Sequence, residues 1–159
     1  MLKNFNYWLT GYGWAEVFFN SDQQAIRFEF SYLSDPLADL VSSLLKLLNH
    51  LQNETIVDFY DEPGLYRLTM ARIGDDHLRL EIITSMQSEG IDDILENWKR
   101  IKPVFELTDT LNNICLVVYT GILDLRRRPS EGEYLEKWLN YPFPTDQFKL
   151  LEHAVSNIK

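Results

Sequence analysis

Residues 55–82 read TIVDFYDEPGLYRLTMARIGDDHLRLEI, and their pattern decides the fold. Thr55 to Tyr60 is a β-branched and aromatic run, ended by the turn residues Asp61-Glu62-Pro63-Gly64. Tyr66, Leu68 and Met70 then alternate with Arg67 and Thr69. After a turn at Gly74-Asp75-Asp76, Leu78, Leu80 and Ile82 alternate with Arg79 and Glu81. A period of two places one set of side chains on each face. Strands joined by connections this short pair only antiparallel. The stretch predicts a three-stranded meander with one apolar face.

Upstream, Trp14 to Phe19, the turn Asn20-Ser21-Asp22-Gln23 and the alternating Ile26, Phe28, Phe30 and Tyr32 predict a hairpin. Asp35 before Pro36 is a helix start, because proline at the first helical position gives up an N–H that has no helical partner. Leu37, Leu40, Val41, Leu44, Leu48 and Leu51 follow at helical spacing and predict a buried stripe.

Downstream, residues 87–101 support two readings. Ile91, Ile94, Leu95 and Trp98 have helical spacing, whereas Gly90, Glu89, Asp92, Asp93 and Glu96 suit a loop. Val104 to Leu107 is a further strand. A long helix follows, capped by Thr108 or Asp109 and carrying Leu111, Ile114, Cys115, Val118, Ile122 and Leu125. Its β-branched segment 114–120 is the place where a strand competes. Arg126-Arg127-Arg128 suits the helix end, where positive charge meets the negative pole of the dipole. Ser130 and Glu133 form a capping box for a short helix through Trp138, which Pro142 stops. A last helix after Pro144-Thr145 buries Phe148, Leu151, Val155 and Ile158, with His153 on its other side.

The expected architecture is α+β. Residues 1–159 form a single domain, with one antiparallel sheet of five or six strands and the helices packed mainly on one face. Arg27, Glu29, Arg67, Thr69, Arg79 and Glu81 point to the opposite face, which is therefore partly polar.

The chain has 159 residues, 45% of them hydrophobic, which is enough for one core. No apolar run reaches the length of a membrane span, and the first residues lack the apolar segment of a secretory leader, so a cytoplasmic location and no membrane partner are expected. The single cysteine, Cys115, agrees with a reducing compartment and reads as a buried structural residue. The net charge of −9 disfavours nucleic acid, and residues 53–100 hold 11 acidic against 5 basic residues. His50, His77 and His153 are too scattered for a metal site, and Gly11-Tyr12-Gly13 lacks the Lys-Ser/Thr and helix of a phosphate loop. No catalytic, cofactor-binding or metal-ligating residue is assigned, no cofactor is expected, and the chain is expected not to be an enzyme.

The acidic clusters are the candidate binding feature. Asp58, Asp61 and Glu62 flank Phe59 and Tyr60, Asp75 and Asp76 share a hairpin end, and Glu89, Asp92, Asp93 and Glu96 follow. Acids interleaved with aromatic rings suit a cation-rich protein partner, since charge speeds encounter and rings anchor the complex. Asp58, Tyr60, Asp61, Glu62, Asp75 and Asp76 are the predicted partner-binding residues, with the outward sheet face as the other candidate surface.

Gly13-Trp14-Ala15-Glu16, the string from Ser31 to Leu40, Asp61-Glu62-Pro63-Gly64 with Tyr66-Arg67, and Trp138 with Tyr141-Pro142-Phe143-Pro144 occur in this order. Together they resemble a family of small, acidic, uncharacterised bacterial cytoplasmic proteins whose relatives resemble immunity proteins of polymorphic toxin systems. The resemblance implies a non-catalytic domain that neutralises a basic toxin by binding it. The alternative is an acidic secretion-type chaperone holding an effector segment, although such chaperones open on a helix and this chain opens on a hairpin. Monomer and dimer both stay open. A carboxylate enzyme acting through water has no motif behind it.

Overall fold

The computed structural model describes residues 1–87, 90–129 and 131–158, the side chains of Gln87 and Glu131 excepted. Glu89 and the expected cap Ser130 lie outside the described residues. The meander is present as β4 (Glu54–Tyr60), β5 (Leu65–Ile73) and β6 (His77–Thr84), and β7 (Phe105–Thr110) extends it in the order β4-β5-β6-β7, every pair antiparallel. The upstream strands do not join this sheet. β1 (Leu2–Gly11), β2 (Trp14–Ser21) and β3 (Ala25–Ser31) make a second, three-stranded antiparallel sheet, so the single sheet of five or six strands is corrected to sheets of three and four. β1 escapes the sequence pattern because Lys3, Asn4 and Asn6 interrupt its apolar run, while Gly11 and Gly13 turn it into β2 at φ of 104° and 78°.

Side chains close the two seams between the sheets. At one, Phe59 of β4 meets Phe30 and Phe28 of β3 with ring centroids 4.9 and 5.4 Å apart. At the other, Phe19 meets Phe105, and the Gln24 amide group exchanges two hydrogen bonds with the backbone of Glu106 in β7. The Gln24 side chain thus pairs with β7 as another strand would, which protects an edge. Asp109, expected as a helix cap, instead accepts from the Leu2 amide at 2.7 Å and from Asn113 Nδ2 at 2.6 Å, tying β1 to β7.

α1 (Pro36–Leu48) starts as expected, with the Asp35 side chain accepting from the Ala38 amide at 3.2 Å. It buries Leu37, Leu40, Val41, Leu44 and Leu47 and ends before Leu51, which is 72% exposed and leaves the stripe. α3 (Leu111–Arg127) confirms helix over strand for 114–120, and its cap is Thr110, with both Thr108 and Asp109 still in β7. Gly121 lets α3 come down on β1, since a Cβ there would run into the Phe5 carbonyl. α4 (Glu131–Trp138) buries Trp138 against Phe30, and α5 (Thr145–Ser156) buries Phe148, Leu151 and Val155. Ile158 lies beyond its end and is half-buried.

The 87–101 region resolves as α2 (Ile91–Asn97) between two 3-10 turns, Ser85–Gln87 and Trp98–Arg100. It covers the outer face of the four-stranded sheet, where Ile94 packs with Leu65 and Ile83. That cover overturns the expected polar face at two positions. Arg67 and Thr69 are buried; Arg79 stays exposed and Glu81 half-buried. Arg67 is tolerated there because its Nε and Nη2 each reach an Asp58 carboxylate oxygen at 2.7 Å and its Nη1 donates to the Ile94 carbonyl at 3.2 Å.

Candidate functional site

The six predicted binding residues fall into two groups at opposite ends of one strand. Asp58, Tyr60, Asp61 and Glu62 lie at the β4–β5 turn, whereas Asp75 and Asp76 lie at the β5–β6 turn, with the nine residues of β5 between them. At 3.3 Å per residue the two ends are roughly 30 Å apart. The fold does not bring the two turns together. Asp58 is engaged by Arg67, and Tyr60 packs beside the Leu65, Ile83 and Ile94 cluster under α2. The backbone carbonyl of Asp75 accepts from Arg72, that of Asp76 from the Leu111 amide at the start of α3.

Asp61 and Glu62 remain at the surface, Glu62 exposed and Asp61 half-buried. The Asp61 carboxylate folds back over Gly64, where any Cβ would collide with it. Burial holds its carboxyl above the usual carboxylate range, against the opposing pull of the turn's own amides.

Beside this turn lies the outer face of the β1–β3 sheet. Ala15, Val17 and Phe19 of β2 point into the core, so Trp14, Glu16 and Phe18 point outward and are half-buried. The register sets Trp8 opposite Glu16 and Glu16 opposite Glu29, then Asn6 opposite Phe18 and Phe18 opposite Arg27. Arg27 lies across this face, its guanidinium carbon 5.5 Å from the Trp8 ring centroid and 5.2 Å from that of Phe18, with Nη1 3.7 Å from Glu16. A groove of about 470 Å³ runs from Trp14, Glu16, Arg27 and Glu29 to Phe28, Tyr66 and Asp61. The stacked rings of Phe28 and Tyr66, 4.1 Å apart, bridge the seam between the sheets there.

Arg27 and Glu29 are legible in the sequence as outward residues. Trp8 is not, because β1 is not. Trp14 and Phe18 hide within an apolar run whose two faces look alike in composition; only burial of the Ala15, Val17 and Phe19 row separates them.

Cys115 is fully buried and its thiol is pushed up to about 12 by that burial, which leaves no thiolate at neutral pH. Among the described residues, no three His, Cys, Asp or Glu side chains gather closely enough to hold a metal ion. No helix among the described residues is long and apolar enough to cross a membrane.

The sequence matches no family profile and no curated protein. Among solved structures, the chain is similar to a chain of a CdiA-CT/CdiI toxin and immunity complex from Enterobacter cloacae, at 8% identity and a TM-score of 0.44 over 75% of this chain and 99% of that one. A likeness that distant carries nothing about activity.

Proposed function

We propose that this protein is a non-catalytic protein-binding domain of the immunity type, which docks the outer face of its β1–β3 sheet on a basic protein and neutralises it by covering it. The observation behind this reading is that face itself: two tryptophans and a phenylalanine, half-buried and interleaved with Glu16 and Glu29, on a sheet whose other side is fixed to the core. Aromatic rings that are already partly desolvated lose little freedom on binding and are typical interface anchors. A net charge of −9 draws a basic protein in from a distance, and a rigid sheet holds the anchors in register. Such a domain needs only to occlude. The sequence resemblance to immunity-like proteins supports a toxin as the partner.

The test is association with the product of any neighbouring gene that encodes a basic protein, followed by interferometry at low and high salt. Trp8→Ala and Trp14→Ala together are expected to weaken binding at least about tenfold, the loss of one good anchor, with an unchanged circular dichroism spectrum. Association is also expected to slow as salt rises. Binding by the folded double variant at the wild-type level would overturn the docking face.

A further inference from the structure

The open face already holds one cation. Arg27 spans the rings of Trp8 and Phe18 and reaches Glu16, an aromatic seat with a carboxylate wall supplied by the protein to itself. The same row carries a second carboxylate. Glu29 stands directly opposite Glu16, and like charges so placed repel across an antiparallel pair. Among the described residues no cation pairs with Glu29. The groove then continues to Asp61, giving three carboxylates against one arginine, with the rings of Trp14, Phe28 and Tyr66 along it.

Resting on the reading that this face docks a protein, we propose that the groove between Glu29 and Asp61 is a receptor slot for one arginine side chain of the partner. The charge balance calls for a cation, since Arg27 offsets one of the three carboxylates. The rings select the guanidinium among cations. Its plane stacks on aromatic faces and its fork fits carboxylates, whereas a lysine ammonium is a compact and strongly hydrated charge. Arg27 shows the same preference within the molecule, lying over two rings while reaching a carboxylate. In the complex the incoming guanidinium engages Glu29, Asp61 closes the far end, and the rings of Trp14 and Tyr66 cover its plane. The repulsion between Glu16 and Glu29 is relieved on binding.

The slot is tested with the intact protein by amide and indole NMR, titrating the capped tripeptides Gly-Arg-Gly, Gly-Lys-Gly and Gly-citrulline-Gly at low salt. The arginine peptide is expected to shift the Trp14 indole and the Asp61 and Gly64 amides saturably. The lysine peptide is expected to bind at least about threefold more weakly, and citrulline, isosteric but uncharged, not to saturate. Glu29→Gln and Asp61→Asn, each checked for an unchanged fold, are expected to weaken the arginine peptide at least about threefold, the loss of one charged contact. Asp76→Asn, at the far end of β5, is expected to leave it unchanged. Equal shifts from arginine and citrulline, or full binding by folded Glu29→Gln, would overturn the slot. If the peptide fails while Trp8→Ala and Trp14→Ala still abolish association with the whole partner, the slot is wrong and the docking face stands. If the peptide binds as expected while those variants leave the partner bound, the docking face is wrong and with it the slot's assignment to that partner, and only the groove's selectivity for arginine stands.

Discussion

At 6% exposure, the Arg67 guanidinium is tolerated in the interior only because Asp58 and the Ile94 carbonyl take up its donors. Arg67→Ala is expected to lose about 3 kcal/mol, because it strands the Asp58 carboxylate and frees α2 from the sheet. The double change Asp58→Leu with Arg67→Met is expected to lose less, since no charge is left unpaired. Urea melts of the two variants check the order. Asp35 is the other residue whose environment acts on stability. Burial pushes its carboxyl up and the Asp39 charge pushes the same way, with the Ala38 amide opposing. Asp39 and Asp61 are raised as well, each mainly by burial. A raised carboxyl binds its proton more readily folded than unfolded. Its favourable contribution is therefore full below the unfolded value and lost as pH rises through the folded one. Acidifying from neutrality is expected to raise the urea midpoint across the window between the raised values and the ordinary carboxylate value, although exposed Asp22, held low by Lys3 and the amino terminus, works the other way. Asp35→Asn keeps the cap and is expected to flatten that rise, whereas Asp35→Ala loses about 1 kcal/mol of capping. An unchanged pH slope in Asp35→Asn would refute the assignment.

Among the elements, those with a long apolar period were readable in advance. Leu37, Leu40, Val41 and Leu44 recur at three- and four-residue steps and all end fully buried in α1. Leu44→Ala is expected to lose about 2–5 kcal/mol, the range for deleting a buried leucine side chain. Leu51→Ala, one turn beyond the helix, is expected to change stability by less than about 0.5 kcal/mol, as for an exposed site. Denaturant melts check both, and a small loss at Leu44 would show that the stripe is misplaced. α2 was not readable, because seven residues hold too few turns for a period to outweigh Gly90 and the surrounding acids. What settles it is the uncovered row of Leu65 and Ile83, to which Ile94 supplies the missing contact. β1 is hidden in the sequence for a related reason. Its apolar residues Leu2, Phe5 and Tyr7 are broken by polar neighbours and a register irregularity between Leu2 and Asn4, so no alternation runs long enough to be seen.

Across the whole molecule, position matters beyond net charge. Glu16→Lys with Glu29→Lys and Asp75→Lys with Asp76→Lys change the net charge by the same amount, one pair on the β1–β3 face and the other at the far end of β5. The first pair is expected to slow association with a basic partner by about tenfold or more at low salt, and the second by far less, because attraction is strongest where the surfaces meet. Equal slowing in stopped-flow or interferometry would mean that only the overall field acts, and that this face is not the docking surface.

Residues 55–82 determined the meander, Asp35-Pro36 the start of α1, and the leucine period its buried side, because each depends on neighbours a few positions apart and on chemistry intrinsic to the residues. The partition into two sheets, the burial of Arg67 and the open aromatic face were decided only by tertiary contacts. Phe30 meets Phe59, Gln24 meets Glu106, and α2 returns over the outer side of β5. A period of two says that a strand has two faces. Which of them stays open depends on what the distant chain brings to cover the other, and here the four-stranded sheet received α2 while Trp8, Trp14 and Phe18 stayed half-buried at the surface.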